Sequence, residues 1–318
     1  MKTKNLVVAN MSVKPGKKKA VIQEFPVNGQ PFQLPMFLIN GTQEGATLVI
    51  TGGIHAAEYA SIAAALEAGQ NLDPESLSGQ VIIIPVVNMP GFSARSIYIC
   101  PLDGVNLNRV FPGKPNGSAS EQIAHWVFGN AILQGDCYVD MHGGDLVEAL
   151  TPFTIFHRTG NPKVDDASLE YARVFGIPYL VASESKGSTF SAASEAGIPG
   201  ILTEAGGQGI WRRSDVNLHI EGLNRLMRHM GMLTGGALPR KESQVLEKFI
   251  WLRSEFDGFY YPEVEVDDKV SQGQKLGKIT DFQGNELQTI TAPESGTVLF
   301  LVTSLAINKN DPLISIGG

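Results

Sequence analysis

The chain has 318 residues, 43% of them hydrophobic and 18% charged, with a formal net charge of −7. That composition fits a soluble globular protein with room for one large α/β domain and a small second one, and the acidic balance argues against a nucleic-acid partner. No N-terminal apolar stretch with a cleavage site and no apolar run of bilayer length occurs, so a cytoplasmic protein with no membrane partner is expected. The two cysteines, Cys100 and Cys137, provide no disulfide framework.

Residues 1 to about 45 read as two or three short strands with turns at Pro15-Gly16, Asn28-Gly29 and Asn40-Gly41, an edge or lid without chemistry. The lysines at 2, 4, 14, 17, 18 and 19 read as a solvated hairpin or arm. The stretch Thr47 to Ala65, TLVITGGIHAAEYASIAAA, is a buried strand, a Gly-Gly turn carrying His55 and Glu58, and an alanine-rich helix to about Gly69. Val81 to Val87 is a continuous apolar run, as for a strand covered on both faces. A long irregular loop follows, from Asn88 to Gly113, and it holds Arg95, Asn108 and Arg109. A capping box, Ser118 to Glu121, opens a helix to about Leu133. His125, inside that helix, reads as a surface or packing residue.

Asp136 to Met141 is a third strand, delivering Asp140, His142, Gly143, Gly144 and Asp145 to its carboxyl end. A strand near Pro152 to Phe156, a helix from Asp165 to Phe175, a short strand at Tyr179 to Ala182 and a helical stretch at Thr189 to Ala196 come next. Gly200 to Thr203 reads as the last strand of the catalytic domain, and it delivers Glu204 followed by Ala205, Gly206 and Gly207. An amphipathic helix from about Asp215 to Met232 closes the unit, with His219 and His229 as ordinary helix residues. Beyond Leu238 helix signals vanish and short β-patterned runs alternate with glycine turns. The expected organisation is a catalytic domain over 1–238 and a β-rich domain over 239–318.

Three strand ends therefore offer His55 with Glu58, His142, and Glu204, at the edge where open α/β sheets bind ligands. Alone, H-x-x-E is equally a polar turn with a glutamate at a helix N-terminus, where negative charge is favoured. Two histidines and one carboxylate, however, make the three-ligand set of a catalytic zinc with a fourth position open to water. Hydrolysis also needs a group to take a proton from water and return it to the leaving amine, and the unligated carboxylate of Glu204 is the candidate. Asp140 would orient an imidazole only if its strand persists to His142. The amide of Asn108 and the guanidinium of Arg109 read as a carboxylate clamp, against a loop-stapling salt bridge for Arg109. The small residues flanking the strand ends read as room for a ligand.

Five pieces in order, GGIHAAE (Gly52 to Glu58), NMPGF (Asn88 to Phe92), DGVNLNRVFPG (Asp103 to Gly113), DMHGG (Asp140 to Gly144) and TEAGG (Thr203 to Gly207), resemble the succinylglutamate desuccinylase/aspartoacylase family, a branch of the zinc carboxypeptidase-like hydrolases. The resemblance covers roughly residues 45 to 235, and the β-rich tail is similar to the family's C-terminal domain. It implies a zinc-carboxypeptidase-like mixed sheet flanked by helices, with a small C-terminal all-β domain. It implies one zinc ion per chain on His55, Glu58 and His142, with Glu204 as general base and acid and Asn108 with Arg109 on the substrate carboxylate. The family also carries an arginine, immediately before a tyrosine, that polarises the scissile carbonyl. Here Ile97 precedes Tyr98, and Arg95 is the nearest arginine.

The expected function is zinc-dependent deacylation of a small N-acyl amino acid or related N-acyl amine, a small-molecule substrate bearing a carboxylate. The alternative is a metallocarboxypeptidase acting on peptide C-termini. A third reading starts from Val264 to Gly277 and Ala292 to Val298, which resemble the halves of a biotinyl/lipoyl-like barrel. The stretch between them, Lys278 to Ile290, has no lysine at its Gly284-Asn285 turn, so the tail reads as structural and not as a carrier. The sequence sets no oligomeric state and leaves a homo-oligomer open.

Overall fold

The structure, a computed structural model, describes residues 4–318. Its centre is a nine-stranded mixed sheet in the order Gln244–Leu246, Tyr179–Ser183, Phe153–His157, Gly200–Glu204, Cys137–His142, Gln43–Gly52, Ser78–Ile84, Gln30–Asn40, Lys17–Val27. The four strands from Gly200–Glu204 to Ser78–Ile84 run parallel, so their carboxyl ends share one edge. These strands are apolar because both faces are covered. Val49, Ile82, Ile84, Tyr138 and Leu202 enter one core, with Ile123 and Val127. Leu48, Ile50, Val81, Ile83, Val139 and Met141 enter the other, with Phe175, Leu223 and Leu226. The strict alternation along each strand is the period-two geometry of β-structure.

The N-terminal region differs from the short strands expected. Two strands of three residues, Leu6–Val8 and Met11–Val13, precede two of eleven, Lys17–Val27 and Gln30–Asn40. Asn28 and Gly29, with φ of 50° and 72°, make the hairpin turn. Both residues are in the left-handed region that Asn-Gly supplies for tight hairpins. Lys17, Lys18 and Lys19 lie on the outermost strand, where lysines discourage pairing with other chains. Lys2 lies outside the described residues. The stretch after Asn88 is also more regular than expected. Asn88 Oδ1 accepts from the Gly91 N–H at 3.0 Å and opens a helix, Met89–Ala94, with Pro90 in its first turn. That is an N-terminal stop-and-start signal too short to stand out from a loop. The Ser118–Glu121 capping box is present, both of its hydrogen bonds included.

The β-rich tail supplies four strands of a five-stranded sheet and all of a four-stranded one, around one core that includes Tyr260, Leu276, Ile279, Val298 and Ile314. The two parts of the chain exchange strands. Glu148–Leu150, only a few residues beyond His142, pairs antiparallel with Gly296–Val302 of the tail. Gln244–Leu246 pairs parallel with Tyr179–Val181 at the edge of the large sheet. Gly200–Glu204 is therefore not the last strand of the large sheet. The later one has three residues and buries only Leu246, against Phe153, Val181 and Leu299, which is too little pattern to read in advance. Cys100 and Cys137 are both buried free thiols. No helix among the described residues is long and apolar enough to cross a membrane.

Candidate active site

The parallel edge brings His55, Glu58 and His142 together, with ligand atoms that all lie within 4.8 Å of one another. Glu58 is the N-cap residue of the helix Tyr59–Asn71, yet its carboxylate makes no capping bond. Its Oε1 lies 2.8 Å from His55 Nδ1, and its Oε2 lies 2.8 Å from His142 Nδ1. The side chain thus meets the histidines, and at 3.1 Å the Gly143 N–H, and makes no bond to its own helix end.

Each imidazole is oriented from behind. His55 Nε2 is 3.0 Å from Asn106 Oδ1, an oxygen that also accepts from the Asn108 N–H at 2.9 Å. His142 Nε2 is 2.9 Å from Asp140 Oδ2. The strand Cys137–His142 does persist, so residues 140 and 142 share a face. Both Nε2 atoms face oxygen acceptors, so each Nδ1, which here shares a proton with Glu58, is the nitrogen that a metal would take up on displacing that proton, the arrangement found around metal-bound histidines. Asp140 is fully buried, with Oδ1 accepting from Thr51 Oγ1 at 2.7 Å and Oδ2 accepting from Thr189 Oγ1. Thr51 Oγ1 in turn lies 2.5 Å from Tyr138 OH.

Carboxyl groups are concentrated here. Glu58, Asp140, Asp145, Glu148 and Glu204 crowd one region, and like charges 4 Å apart repel by about 4 kcal/mol at an effective dielectric near 20. Burial opposes ionisation of Glu58, but His142 and His55 outweigh it and hold its pKa down at about 2. Burial also disfavours a charged His142, yet Asp140 and Glu58 pull its pKa well above the usual value. Burial and the Glu58 charge push Glu204 well above the ordinary carboxylate range and Asp145 up to about 6. Burial pushes Glu148 up to about 8. Two imidazole nitrogens and a carboxylate within this field fit a divalent metal.

Glu204 ends the strand beside His142, in register with it, and its Oε2 is buried with no hydrogen-bond partner among the described residues. Asn108 is only 2% exposed. Its Oδ1 accepts from the Thr189 N–H at 2.9 Å, and its Nδ2 lies 3.3 Å from His142 Nε2, so the side chain packs behind the histidine. Arg109 is exposed and donates from Nη1 to the Asn108 carbonyl at 2.7 Å. It makes no salt bridge among the described residues, and burial of its surroundings together with the charge of Arg253 lowers its pKa, against the pull of Glu204 and Glu58. Arg95 is the C-cap of the helix Met89–Ala94, exposed and in the left-handed region at φ 54°.

Several contributors escaped the sequence reading. Tyr98, also left-handed at φ 58°, stacks its ring edge-on against His55 with centroids 6.0 Å apart. Such a backbone costs on the order of 1–3 kcal/mol and persists only where the surroundings impose it. Here the Tyr98 N–H donates to Asp145 Oδ2 at 3.0 Å, its hydroxyl donates to Glu148 Oε1, and Glu148 Oε2 accepts from the Asp145 N–H at 2.7 Å. The Gln208 N–H, in the loop after Glu204, donates to the carbonyls of Asp145 and Glu148 at 2.9 and 2.8 Å. One acidic clamp thus ties three loops around the site. The glycines there serve the same closeness and are not simply room for a ligand. A Cβ on Gly143 would meet the Ala205 carbonyl oxygen at 2.4 Å, and one on Gly207 would meet that of Glu148 at 2.3 Å.

Residues 44–230 match the sequence profile of the succinylglutamate desuccinylase/aspartoacylase catalytic domain. The chain belongs to that family. It is 30% identical over 246 residues to the N-alpha-acetyl-L-2,4-diaminobutyric acid deacetylase of Halomonas elongata, covering 75% of this chain and 72% of that protein. Its fold is that of a succinylglutamate desuccinylase/aspartoacylase from Rhodobacter sphaeroides, with a TM-score of 0.86 at 24% identity over 98% of each chain. The product-bound ectoine utilization protein EutE (DoeB) from Ruegeria pomeroyi is equally similar, with a TM-score of 0.86 at 24% identity, covering 99% of this chain and 98% of that one. The desuccinylase/aspartoacylase architecture therefore extends through the β-rich tail, and the family is one of deacylases.

Proposed function

We propose that this deacylase hydrolyses the amide bond of a small N-acyl amino acid, using one zinc ion held by His55, Glu58 and His142 and Glu204 as general base and acid. The observation that carries the reading is the convergence of both Nδ1 atoms on Glu58, with Glu204, whose Oε2 has no hydrogen-bond partner among the described residues, at the same carboxyl edge of the sheet. When bound, the metal supplies Lewis-acid polarisation and makes hydroxide accessible near pH 7. The chain's own residues supply the rest. Glu204 takes the proton of the attacking water and returns it to the leaving nitrogen, so that the amine departs neutral. Burial that raises its proton affinity suits a group that must hold a proton between two steps. The clamp of Tyr98, Asp145 and Glu148 fixes the loops and keeps this geometry from relaxing.

In this reading Arg109 takes the substrate carboxylate. Its guanidinium has no acid partner among the described residues, and one side is already anchored by the Asn108 carbonyl. Asn108, whose Nδ2 is turned to His142, would support that contact through its carbonyl, which holds the guanidinium. Arg109→Ala is expected to raise KM by about 10-fold or more with kcat less affected, and Arg109→Lys to recover little, because a point charge cannot reproduce paired N–H donors. Steady-state kinetics on one substrate decides this. Polarisation of the scissile carbonyl by Arg95 is part of the same proposal. If the exposed guanidinium folds in over the substrate, Arg95→Ala lowers kcat by about 10²-fold, the worth of one donor to a developing oxyanion. An unchanged kcat removes Arg95 from the reaction.

The direct test is amine release from N-acetyl, N-succinyl and other N-acyl amino acids, with and without a chelator and beside short peptides. N-α-acetyl-L-2,4-diaminobutyrate, the compound named for the Halomonas elongata relative, is the first to try. Chelator-sensitive release from an acyl amino acid supports the proposal and names the acyl and amine halves. Release only from peptide C-termini replaces it with carboxypeptidase activity.

A further inference from the structure

One more imidazole lies beneath the carboxyl edge. His219, on the helix Arg213–His229, is 0% exposed and so is not the ordinary helix residue its sequence context suggests. Its neighbours on the buried face are Val216, Leu223 and Leu226, a stripe that packing alone would complete with another apolar side chain. A buried polar group left unsatisfied there is destabilising, so its partners matter. His219 Nδ1 is 3.1 Å from Thr203 Oγ1. Its Nε2 is buried with no hydrogen-bond partner among the described residues, and the backbone carbonyls of Ala205 and His142 lie beside the ring.

These partners stand at one junction. Thr203 immediately precedes Glu204, the strand register sets Thr203 against Met141 and Glu204 against His142, and the Ala205 N–H donates to the His142 carbonyl at 3.2 Å. A single rigid ring therefore touches the strand that ends in a histidine of the metal cluster and the strand that ends in the proposed base. Neutral imidazole has one donor and one acceptor. The tautomer protonated on Nε2 accepts the Thr203 hydroxyl at Nδ1 and keeps its N–H on the side of the ring away from Thr203.

We propose that His219 is a positioning residue that sets the spacing of His142 and Glu204 by bracing both strand ends from below. This rests on the reading of the site given under Proposed function. Misplacement of a reacting group by about 1 Å costs on the order of 10²-fold, so the effect is expected in kcat and at the metal, and much less in substrate affinity.

The test uses the full chain, freed of metal by chelation and titrated with cobalt(II), whose visible absorption reports ligand geometry, beside steady-state deacylation and thermal unfolding. His219→Leu is expected to lower kcat by about 10–100-fold with KM within about 3-fold, and to weaken cobalt(II) binding by about 10-fold, the scale of groups that orient metal ligands. Its cobalt spectrum shifts as well. His219→Asn, which keeps an acceptor near Nδ1, recovers most of both. Thr203→Val gives a smaller change of the same kind, and the double variant is no worse than His219→Leu alone, as for two members of one contact.

The proposal is overturned if His219→Leu melts earlier while kcat, cobalt affinity and spectrum stay those of the parent, or if the two substitutions add. Where His219→Leu does not fold, Thr203→Val with the same cobalt titration decides. A parent chain that binds cobalt(II) without deacylating any compound tried leaves the cobalt comparison to judge His219. A parent chain that binds no cobalt(II) overturns the metal site and the proposal together.

Discussion

Glu204→Gln is expected to lower kcat by about 10²–10⁴-fold, the range contributed by a positioned general acid–base group. Metal content and KM should stay close to those of the parent. The reason lies in what glutamine keeps and loses. It preserves the volume of a side chain that ends a central strand in register with His142, so neither packing nor strand pairing is disturbed. It removes only the ability to accept and return a proton. The buried Oε2, which has no protein partner among the described residues, is the atom whose chemistry is lost. Glu204 shares no hydrogen bond with His55, Glu58 or His142 among those the structure shows, so the ligand cluster has no cause to move. Metal analysis beside single-turnover kinetics separates the two quantities. A Glu204→Gln protein with near-normal turnover would move the proton transfer to another group, and one that lost its metal would make Glu204 a ligand instead of a base.

The parts of this site that were legible in the sequence are the ones carried by local patterns. His55 and Glu58 sit in one turn, and His142 and Glu204 each follow an apolar strand and precede glycines. A strand-end residue with small neighbours announces itself within a few positions. The supporting groups were hidden because their partners are remote in sequence. Asp140 is braced by Thr51 and Thr189, separated from it by 89 and 49 residues. The Tyr98 hydroxyl meets Glu148 across 50 residues. Asn106, by contrast, could have been found: an Asx residue two positions before Asn108 is a local turn-capping pattern, and that same oxygen proves to orient His55. His219 illustrates the opposite limit. Helical periodicity placed it on an amphipathic helix but could not say that its face meets the floor of the site, since that depends on how the helix docks. The interlocked sheets were illegible for the same reason, because three-residue strands carry almost no pattern of their own.

His142→Ala should have the other large effect, abolishing metal binding and turnover together, because it deletes one of three ligands and also strands a charge. Asp140 is fully buried and faces His142 at 2.9 Å, so removing the imidazole leaves a carboxylate held only by the hydroxyls of Thr51 and Thr189. Breaking such a buried pair costs about 3–5 kcal/mol, which a denaturant titration of the metal-free proteins would read. The pH dependence has a definite sign. In the metal-free protein the pKa of His142 is raised, so its contribution to stability is complete below the unfolded value near 6.5 and is lost as pH rises through the folded value. Glu58 acts oppositely: its pKa is depressed to about 2, so its contribution is present above the unfolded value of 4.5 and is lost as pH falls towards 2. The metal-free parent is therefore expected to exceed His142→Ala in stability most clearly between those limits, with the gap narrowing in alkali. Metal affinity should run the other way and rise with pH, because a proton on Nδ1 competes for the same lone pair. Asp140→Asn separates the two roles, since it keeps the ligand but weakens its orientation, and a loss of about 10–100-fold in metal affinity is expected. A His142→Ala protein that retained one metal per chain would show that the ion sits elsewhere, and the Glu58 bridge between the two imidazoles would then be no more than an internal ion pair.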